Sequence, residues 1–188
     1  MNKWLLIFSN SVLLANIAYA DAVADRKGSL GVEKGCVKYA HTGMIKGNSK
    51  ECWIQWGWQK ATFEDLTQFG GVKTKRFKYQ DGTDIYVYDY GTKKCTLAQV
   101  DSALTGADPN AITQAMGQQE TGTDTILEHQ CTRKVAMGGV SEICQTETGV
   151  ALLNKAGGNS MVQRATSYTP GVVSQADMAF PAEVDKAK

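Results

Sequence analysis

The chain of 188 residues contains five cysteines and two histidines, the side chains best suited to redox, nucleophilic or metal chemistry. The cysteines are Cys36, Cys52, Cys95, Cys131 and Cys144. None of them forms a Cys-x-x-Cys pair, the spacing typical of thioredoxin-type redox sites, c-type haem attachment and zinc ribbons. His41 and His129 have no Cys, Asp or second His at metal-ligand spacing. The sequence therefore predicts no metal site and no cofactor, and it favours structural roles for both histidines.

Recognised catalytic motifs are also missing from the sequence. There is no Gly-x-Ser-x-Gly elbow, phosphate-binding loop or dinucleotide fingerprint. One region does bring carboxylates together, and a hydrolase using two of them is the alternative: Glu64, Asp65, Asp81, Asp84 and Asp89. However, Asp81 belongs to a predicted turn, and Glu64-Asp65 fits a loop or a helix start. We therefore expect a protein that is not an enzyme.

The first twenty residues have the features of an export signal. Lys3 provides a positive start, an apolar stretch runs from Trp4 to Ala18, and Ala18-Tyr19-Ala20 matches the small-x-small pattern that signal peptidase cleaves. The apolar stretch is short and is interrupted by polar residues, so an uncleaved anchor of ~20 residues is the less favoured alternative. We expect a periplasmic or secreted protein, cleaved after Ala20, whose mature chain has no integral membrane span.

Composition and charge limit the remaining classes. Without residues 1–20 the chain has 19 basic and 19 acidic side chains, which argues against nucleic acid as a partner because phosphate neutralisation needs a basic excess. Abundant aromatic residues and only 3 prolines argue against disorder. The length suits one β-rich domain, predicted over residues 34–184, preceded by a flexible leader over 21–33 and followed by a charged tail over 185–188.

In an exported chain, the cysteines are expected to form disulfides. Pairing Cys36 with Cys52 and Cys131 with Cys144 closes two short, hairpin-sized loops, each worth about 3 kcal/mol through the entropy of the unfolded chain. Cys95 is then left as a free thiol or as an intermolecular one. Because the number of cysteines is odd, the sequence leaves other pairings open.

The pattern of apolar residues predicts strands joined by tight turns, the first of them at residues 48–50. Ile54, Trp56 and Trp58 alternate at period two, which predicts one strand from Cys52 to Gln59 with these residues on one face. Asp81-Gly82 predicts a hairpin between strands 72–79 and 83–90, and places Tyr86, Tyr88 and Tyr90 on one face. The basic run between Lys73 and Lys78 is predicted as the solvent face of its strand, with contact to an anionic partner as the alternative.

The middle of the chain changes character. Asp108-Pro109 predicts the start of a helix that ends at Gly117, and residues 97–104 predict a second short helix. Strands resume at residues 125–135, and Gly138-Gly139 predicts a further hairpin. Together these elements predict eight or nine strands in a mainly β fold, namely a curved antiparallel sheet or open half-barrel with one or two short helices as a plug.

Most aromatic residues of the chain lie between Trp53 and Tyr90. Such a concentration fits either a filled core or an apolar groove for a lipid, acyl chain or hydrophobic peptide. For the groove, the ligand-binding residues would be Trp56, Trp58, Tyr86, Tyr88 and Tyr90.

The order of short motifs resembles a known group of proteins. The first half has Trp-x-x-Trp-Gly at Trp53, a basic strand and Asp81-Gly82-x-x-Ile-Tyr-x-Tyr-Asp. The second half has Cys131, a Gly-Gly pair, Cys144, the stretch 149–153 and a closing Phe180-Pro181. This order resembles periplasmic proteins with the half-barrel fold of the lipoprotein carriers LolA and LolB, and within them an uncharacterised branch with a late cysteine pair. The resemblance implies the fold rather than lipoprotein transport.

Two functions are compatible with these observations. The first is a non-enzymatic exported protein that binds a hydrophobic or amphiphilic ligand in a concave sheet, with the helix after Asp108 as a lid. The alternative is a structural or assembly subunit of a cell-envelope or surface complex, joined to an envelope protein partner through Cys95 or through an exposed edge strand.

Overall fold

A computed structural model describes residues 27–99 and 117–182. They form one antiparallel sheet of eleven strands in the order β6-β5-β4-β3-β2-β1-β11-β10-β9-β8-β7. The strands are β1 (Gly35–Gly43), β2 (Lys46–Ile54), β3 (Gln59–Thr67), β4 (Lys73–Asp81), β5 (Asp84–Asp89), β6 (Lys94–Gln99), β7 (Gln119–Ile126), β8 (His129–Ala136), β9 (Ser141–Gln145), β10 (Ala151–Ala156) and β11 (Met161–Pro170).

The predicted fold class is confirmed. The described sheet ends in β6 on one side and β7 on the other, so it is an open antiparallel sheet and not a closed barrel. One short α-helix follows in the described residues, α1 (Gln175–Met178), and no described helix is long and apolar enough to cross a membrane. The predicted signal peptide with its cleavage site, the helix after Asp108 and the tail 185–188 lie outside the described residues.

The predicted strand from Cys52 to Gln59 is wrong. β2 ends at Ile54, and a 3-10 turn at Gln55–Gly57 leads into β3. Gln55 and Trp56 have φ angles of 52° and 54°, in the left-handed region. Two residues in that conformation reverse the chain and end the alternation of faces. Ile54, Trp56 and Trp58 therefore do not lie on one strand.

Three smaller predictions are also corrected. Residues 125–135 form parts of two strands, because Leu127 and Glu128 have φ angles of 54° and 65° and turn β7 into β8. The turn expected at residues 48–50 lies inside β2, where hydrogen bonds to β1 and β3 outweigh the local turn preference. Leu97, expected to start a helix, lies in β6 and pairs with Tyr86 of β5.

Both predicted disulfides are confirmed. Cys36 and Cys52 face each other directly across β1 and β2, and their sulfurs are bonded. Cys131 and Cys144 link β8 to β9 with 5.3 Å between their Cα atoms. Cys95 is the remaining free thiol. Each disulfide therefore joins neighbouring strands of one hairpin-connected unit.

The main core surrounds Trp53, which is fully buried together with Val37 and Leu152. Leu30 and Val32 pack against this core. The backbone N–H of Leu30 donates to the Trp56 carbonyl at 2.9 Å, and the N–H of Gly31 donates to the Thr148 carbonyl at 2.8 Å. Residues 28–32, which the sequence predicts as part of a loose leader, are thus hydrogen-bonded to the turns that join β2 to β3 and β9 to β10. The outer limits of the domain stay a prediction.

Candidate functional site

Strand register collects aromatic rings on one face of the β3–β6 part of the sheet. Directly paired residues of antiparallel strands point to the same face. The register pairs Phe63 with Phe77 and Phe77 with Tyr88, and in the next row pairs Tyr79 with Tyr86. We call this surface the aromatic face, and define it by Phe63, Phe77, Tyr79, Tyr86, Tyr88 and Tyr90.

The rings of the aromatic face form a contacting cluster. Phe77 and Tyr88 are 5% exposed, whereas Phe63, Tyr86 and Tyr90 are half-buried. The ring of Tyr90 lies edge-on to those of Tyr88 and Phe63, with centroids 5.0 and 6.2 Å apart. These edge-to-face contacts hold the rings in fixed positions, with a buried floor and half-exposed edges.

The opposite face of the same strands is polar. Lys78 donates to Glu64 at 2.6 Å, and Arg76 donates to Asp89 at 3.1 Å. The Thr92 backbone N–H and the Arg76 guanidinium hold the pKa of Asp89 below its ordinary value. The strands β3 to β5 thus have one ion-paired face and one aromatic face, as expected when only one face is covered.

Successive side chains of β4 point to opposite faces of the sheet, so the basic run from Lys73 to Lys78 is split between the two faces. Arg76 and Lys78 lie on the polar face, as predicted, but Lys73 and Lys75 share the face of Phe77 because residues two apart point to one side of a strand. The Nζ atom of Lys75 lies 5.4 and 5.3 Å from the ring centroids of Phe63 and Tyr90. Half of the basic run therefore borders the aromatic face rather than bulk solvent alone.

A trough of about 600 Å³ lies beside the aromatic face, over β1 to β4. Its lining includes the lysines Lys38, Lys50 and Lys73, the acid Asp65, and the ring of Phe63. Lys38 pairs with Lys50, and Lys50 with Phe63, across the sheet. We call this depression the lysine trough. It continues the aromatic face into a region where basic side chains outnumber acidic ones.

Residues 174–180, which we call the strap, cover part of the aromatic face. The ring of Phe180 lies 5.6 Å from that of Phe77, 4.5 Å from that of Tyr79 and 6.2 Å from that of Tyr86. Met178 packs against the same cluster. The inner rings are therefore buried by the chain's own C-terminal segment.

An ion pair and a capping box fix the other end of the strap. The Lys50 ammonium donates to the Asp177 carboxylate. Ser174 and Asp177 cap α1 reciprocally, the Asp177 N–H donating to the Ser174 hydroxyl at 3.2 Å and the Ser174 N–H to the Asp177 carboxylate at 3.0 Å. The hydrogen bonds from Lys50 and from the Ser174 backbone lower the pKa of Asp177 to about 2.

Cys95 packs against the edge of the aromatic face. It pairs directly with Tyr88 across β5 and β6 and packs, half-buried, against the ring cluster. The sequence had left this thiol as a candidate for an intermolecular bond. Because Cys95 lies beside Tyr88, the reactivity of its thiol should depend on whether a ligand covers these rings.

The structure separates the predicted ligand-binding residues into two groups. Tyr86, Tyr88 and Tyr90 lie together on the aromatic face. Trp56 lies in the 3-10 turn, where Lys27 approaches its ring to 4.7 Å. The Trp58 indole N–H donates to Asp81 at 3.1 Å, so this ring covers the β4–β5 turn. The two tryptophans are not brought to the tyrosines.

Several residues on the aromatic face or packed against it were not singled out as ligand-binding from the sequence: Phe63, Phe77, Tyr79, Cys95 and Phe180. Period-two spacing from Phe77 to Tyr79 could have found two of them. Phe180 carries no local signal, because its partners are distant in sequence.

Two arrangements of chemically capable side chains have structural explanations. His41 Nε2 lies 2.8 Å from the hydroxyl of Ser49, whose exposure is only 7%, so the ring satisfies a buried hydroxyl group. Burial lowers the pKa of His41, although Glu64 opposes the shift. Among the described residues, Cys36, Cys52 and Asp177 also meet, but the two sulfurs are bonded to each other and offer no thiolate to a metal.

A second depression of about 500 Å³ lies at the other end of the sheet. It is lined by His129, Thr148, Tyr168 and other mostly polar residues, with the His129 ring 4.7 Å from that of Tyr168. It lacks the contacting ring cluster of the aromatic face.

Comparison with known proteins identifies relatives by fold. No protein-family profile and no curated protein sequence matches the chain. An uncharacterized conserved protein from Thermus thermophilus aligns with a TM-score of 0.57 at 10% identity, over 87% of this chain and 95% of that chain. This likeness shows the fold alone.

Two further solved structures align less well. MucB, solved in complex with MucA(peri), gives a TM-score of 0.47 at 14% identity over 90% of this chain, which spans 60% of the MucB chain. A DUF1329 family protein from Desulfovibrio piger ATCC 29098 gives 0.33 at 10% identity, over 87% of this chain and 95% of that one. The structure shows an open antiparallel sheet, and its likeness to the LolA/LolB-like fold stays an expectation from the sequence. Membership of the cysteine-paired branch stays a prediction.

Proposed function

We propose that the protein is a non-enzymatic, exported protein that binds a hydrophobic or amphiphilic ligand on the aromatic face. The observation that carries this proposal is the ring cluster itself, which combines a buried floor at Phe77 and Tyr88 with half-exposed rings at Tyr86 and Tyr90. Rings held by their neighbours offer apolar area without a large ordering cost on binding.

The dimensions and lining of the neighbouring trough support the same proposal. A volume of about 600 Å³ falls within the ~300–1,000 Å³ typical of small-molecule sites. Its basic residues Lys38, Lys50 and Lys73 lie at one end of the aromatic face. An apolar region next to a polar one is the arrangement that an amphiphile needs, because its two ends require different surroundings.

Export is supported by the two disulfides, since such bonds persist in oxidising compartments outside the cytosol. Within the proposal, the chain reaches the periplasm or the outside of the cell through cleavage after Ala20. The helix after Asp108, proposed from the sequence as a lid, belongs to the part of the chain outside the described ranges.

The test is a calorimetric titration of the delipidated mature protein with dodecanoate below its micellar concentration. We expect saturable binding, and we expect Tyr86→Thr to weaken it at least about fivefold by removing a ring from the site. Val87→Thr is the matched control, because Val87 is the next residue of β5 and points to the polar face. Saturable binding that Tyr86→Thr leaves unchanged would place the ligand elsewhere, and no binding would end the proposal.

The alternative function, an assembly subunit, draws support from the sheet edges. Within residues 27–99 and 117–182, β6 and β7 each pair on one side only, and an open edge can accept a strand from a partner. The position of Cys95 among the rings makes a covalent partner less favourable than it was from sequence. Non-reducing electrophoresis of protein isolated from the native envelope tests this, since a covalent complex through Cys95 would appear as a higher band.

A further inference from the structure

The strap occupies the proposed site with the chain's own side chains. Phe180 lies among the rings of Phe77, Tyr79 and Tyr86, and Met178 packs beside them. Three residues before Phe180, Asp177 places a carboxylate on the ammonium of Lys50, at the lysine trough. The strap therefore places an apolar ring, that of Phe180, on the aromatic face and a carboxylate, that of Asp177, on Lys50.

We infer that the strap is a displaceable internal occupant, and that the ligand which replaces it is an anionic amphiphile whose acidic head takes the place of Asp177 on Lys50 and whose apolar part takes the place of Phe180. This inference rests on the proposed function of the aromatic face. It adds the charge of the ligand, the residue that recognises that charge and the segment that competes with it.

The charges around the site favour an anion over a neutral or cationic head. Lys38, Lys50 and Lys73 line the trough, and Asp65 is the acid among its lining residues. When Asp177 leaves with the strap, Lys50 loses its carboxylate partner and the basic excess at the trough increases. A carboxylate or phosphate head restores the charge-assisted hydrogen bond that Lys50 makes in the closed form.

The contacts of the strap are suited to exchange. Its contacts include the Phe180 ring, Met178, the Cys36 sulfur at 3.9 Å from the Asp177 carboxylate, and the Asp177–Lys50 ion pair, whose side chains are 22% and 36% exposed. The chain leaves β11 through Gly171, which precedes the strap. The φ of Gly171 is +77°, a backbone conformation that favours glycine, and a Cβ at this position would have no neighbour within 4 Å. Residues 171 and 172 are exposed, so the strap can leave without opening the sheet.

Competition from the strap reduces the apparent affinity of a ligand by the fraction of molecules in which the site is open. Weakening the strap should therefore strengthen binding. We expect Phe180→Ala to tighten binding of any amphiphile by about fivefold or more. Asp177→Asn should do the same chiefly for anionic ones, because it also leaves Lys50 available to the ligand's head group.

The experiment compares two probes with the same acyl chain, dodecanoate and neutral monododecanoylglycerol, on the full mature chain. We expect the wild type to prefer dodecanoate. Lys50→Gln should reduce this preference to about equal binding, while Phe180→Ala tightens both probes and keeps the preference. Lys60→Gln is the matched control, since Lys60 lies on the polar face near Glu51 at 4.0 Å, and it should change neither probe.

The outcomes separate the inference from the proposed function. If both probes bind the wild type equally and Lys50→Gln leaves the ratio of their affinities unchanged, Lys50 does not recognise an anionic head group. The aromatic face would still be a binding site. If Phe180→Ala and Asp177→Asn weaken binding or leave it unchanged, the strap is not a competitor. If neither probe binds the wild type or Phe180→Ala, the proposed function itself fails. Circular dichroism of each variant confirms that the sheet is intact.

Discussion

The ring of Phe180 packs against the ring of Tyr79 with 4.5 Å between centroids, the shortest ring-to-ring distance in the cluster that includes Phe77 and Tyr86. The contact joins the C-terminal strap to the middle of the β4–β5 hairpin. It buries rings that the hairpin alone would leave more exposed. Covering of the aromatic face by the chain itself is the feature from which the predictions about ligand binding follow.

Cys95 should report ligand binding by a change in thiol reactivity. Its place beside Tyr88 means that a bound acyl chain would shield the sulfur from reagents. We expect dodecanoate to slow the reaction of Cys95 with a maleimide by about tenfold at saturation, because only the unliganded fraction reacts. A rate that does not change at saturating ligand would contradict contact between the ligand and this part of the face.

Acid should release the strap from Lys50. The pKa of Asp177 is lowered to about 2, so the ion pair adds stability above the ordinary carboxyl pKa near 3.8, and loses it as pH falls towards 2. We expect wild type to be more stable than Asp177→Asn by about 1 kcal/mol at pH 7, a value reduced by solvent screening. The difference should be much smaller at pH 2, where about half of the folded molecules still carry an ionised Asp177, and should vanish at lower pH.

The measurement for Asp177 is urea unfolding of the two proteins from pH 2 to pH 7. Lys50→Gln provides the control, since in that background Asp177→Asn should have a smaller effect, limited to the hydrogen bonds between Asp177 and Ser174. An unchanged stability difference between pH 7 and pH 2 would show that ionisation of Asp177 does not hold the strap.

Trp58 and Gly82 should form a stability determinant separate from the ligand site. A Cβ at Gly82 would lie 2.5 Å from the Trp58 ring, and Gly82 has a φ of +60°. Gly82→Ala should cost at least about 2 kcal/mol, because strain and steric overlap both contribute. Gly158→Ala has the same strain, with φ of +61° and no neighbour within 4 Å, and should cost about 1 kcal/mol.

Urea denaturation of both glycine variants compares these costs. Dodecanoate affinity should stay at the wild-type level in Gly82→Ala, since Trp58 is not part of the aromatic face. A loss of binding in the folded variant would mean that Trp58 contributes to the site, as the sequence first suggested.

The disulfide Cys131–Cys144 should support stability rather than the site. It belongs to the main core, with both cysteines at most 1% exposed. We expect replacing both residues by Ala to cost about 2–4 kcal/mol while leaving dodecanoate binding intact in the fraction that folds. Calorimetric unfolding followed by titration at low temperature measures the two effects separately.

Local patterns were sufficient for much of the fold. The Asp81-Gly82 pair and the alternation from Tyr86 to Tyr90 predicted the β4–β5 hairpin and its tyrosine face, because turn chemistry and side-chain period act within a few residues. The cysteine pairs were also predicted correctly, since each closes a short loop between adjacent strands.

The failures have three physical causes. Trp56 was placed on a strand because period-two spacing does not reveal that its backbone, at φ of 54°, turns the chain. Leu97 was given a helix because local propensity does not include the hydrogen bonds that β6 makes with β5. Phe180 was missed because its contacts depend on how the strap returns to the sheet, which no local pattern encodes.

The central claim is that the aromatic face holds the ligand, and photo-crosslinking tests it most directly. Dodecanoate with a diazirine at its methyl end would be bound, irradiated and mapped by mass spectrometry of the peptides. We expect labelling concentrated on β5, at Tyr86 and Tyr88, and suppressed by excess unlabelled dodecanoate. Suppressible labelling at the second depression around His129 and Tyr168, with the aromatic face unlabelled, would contradict it.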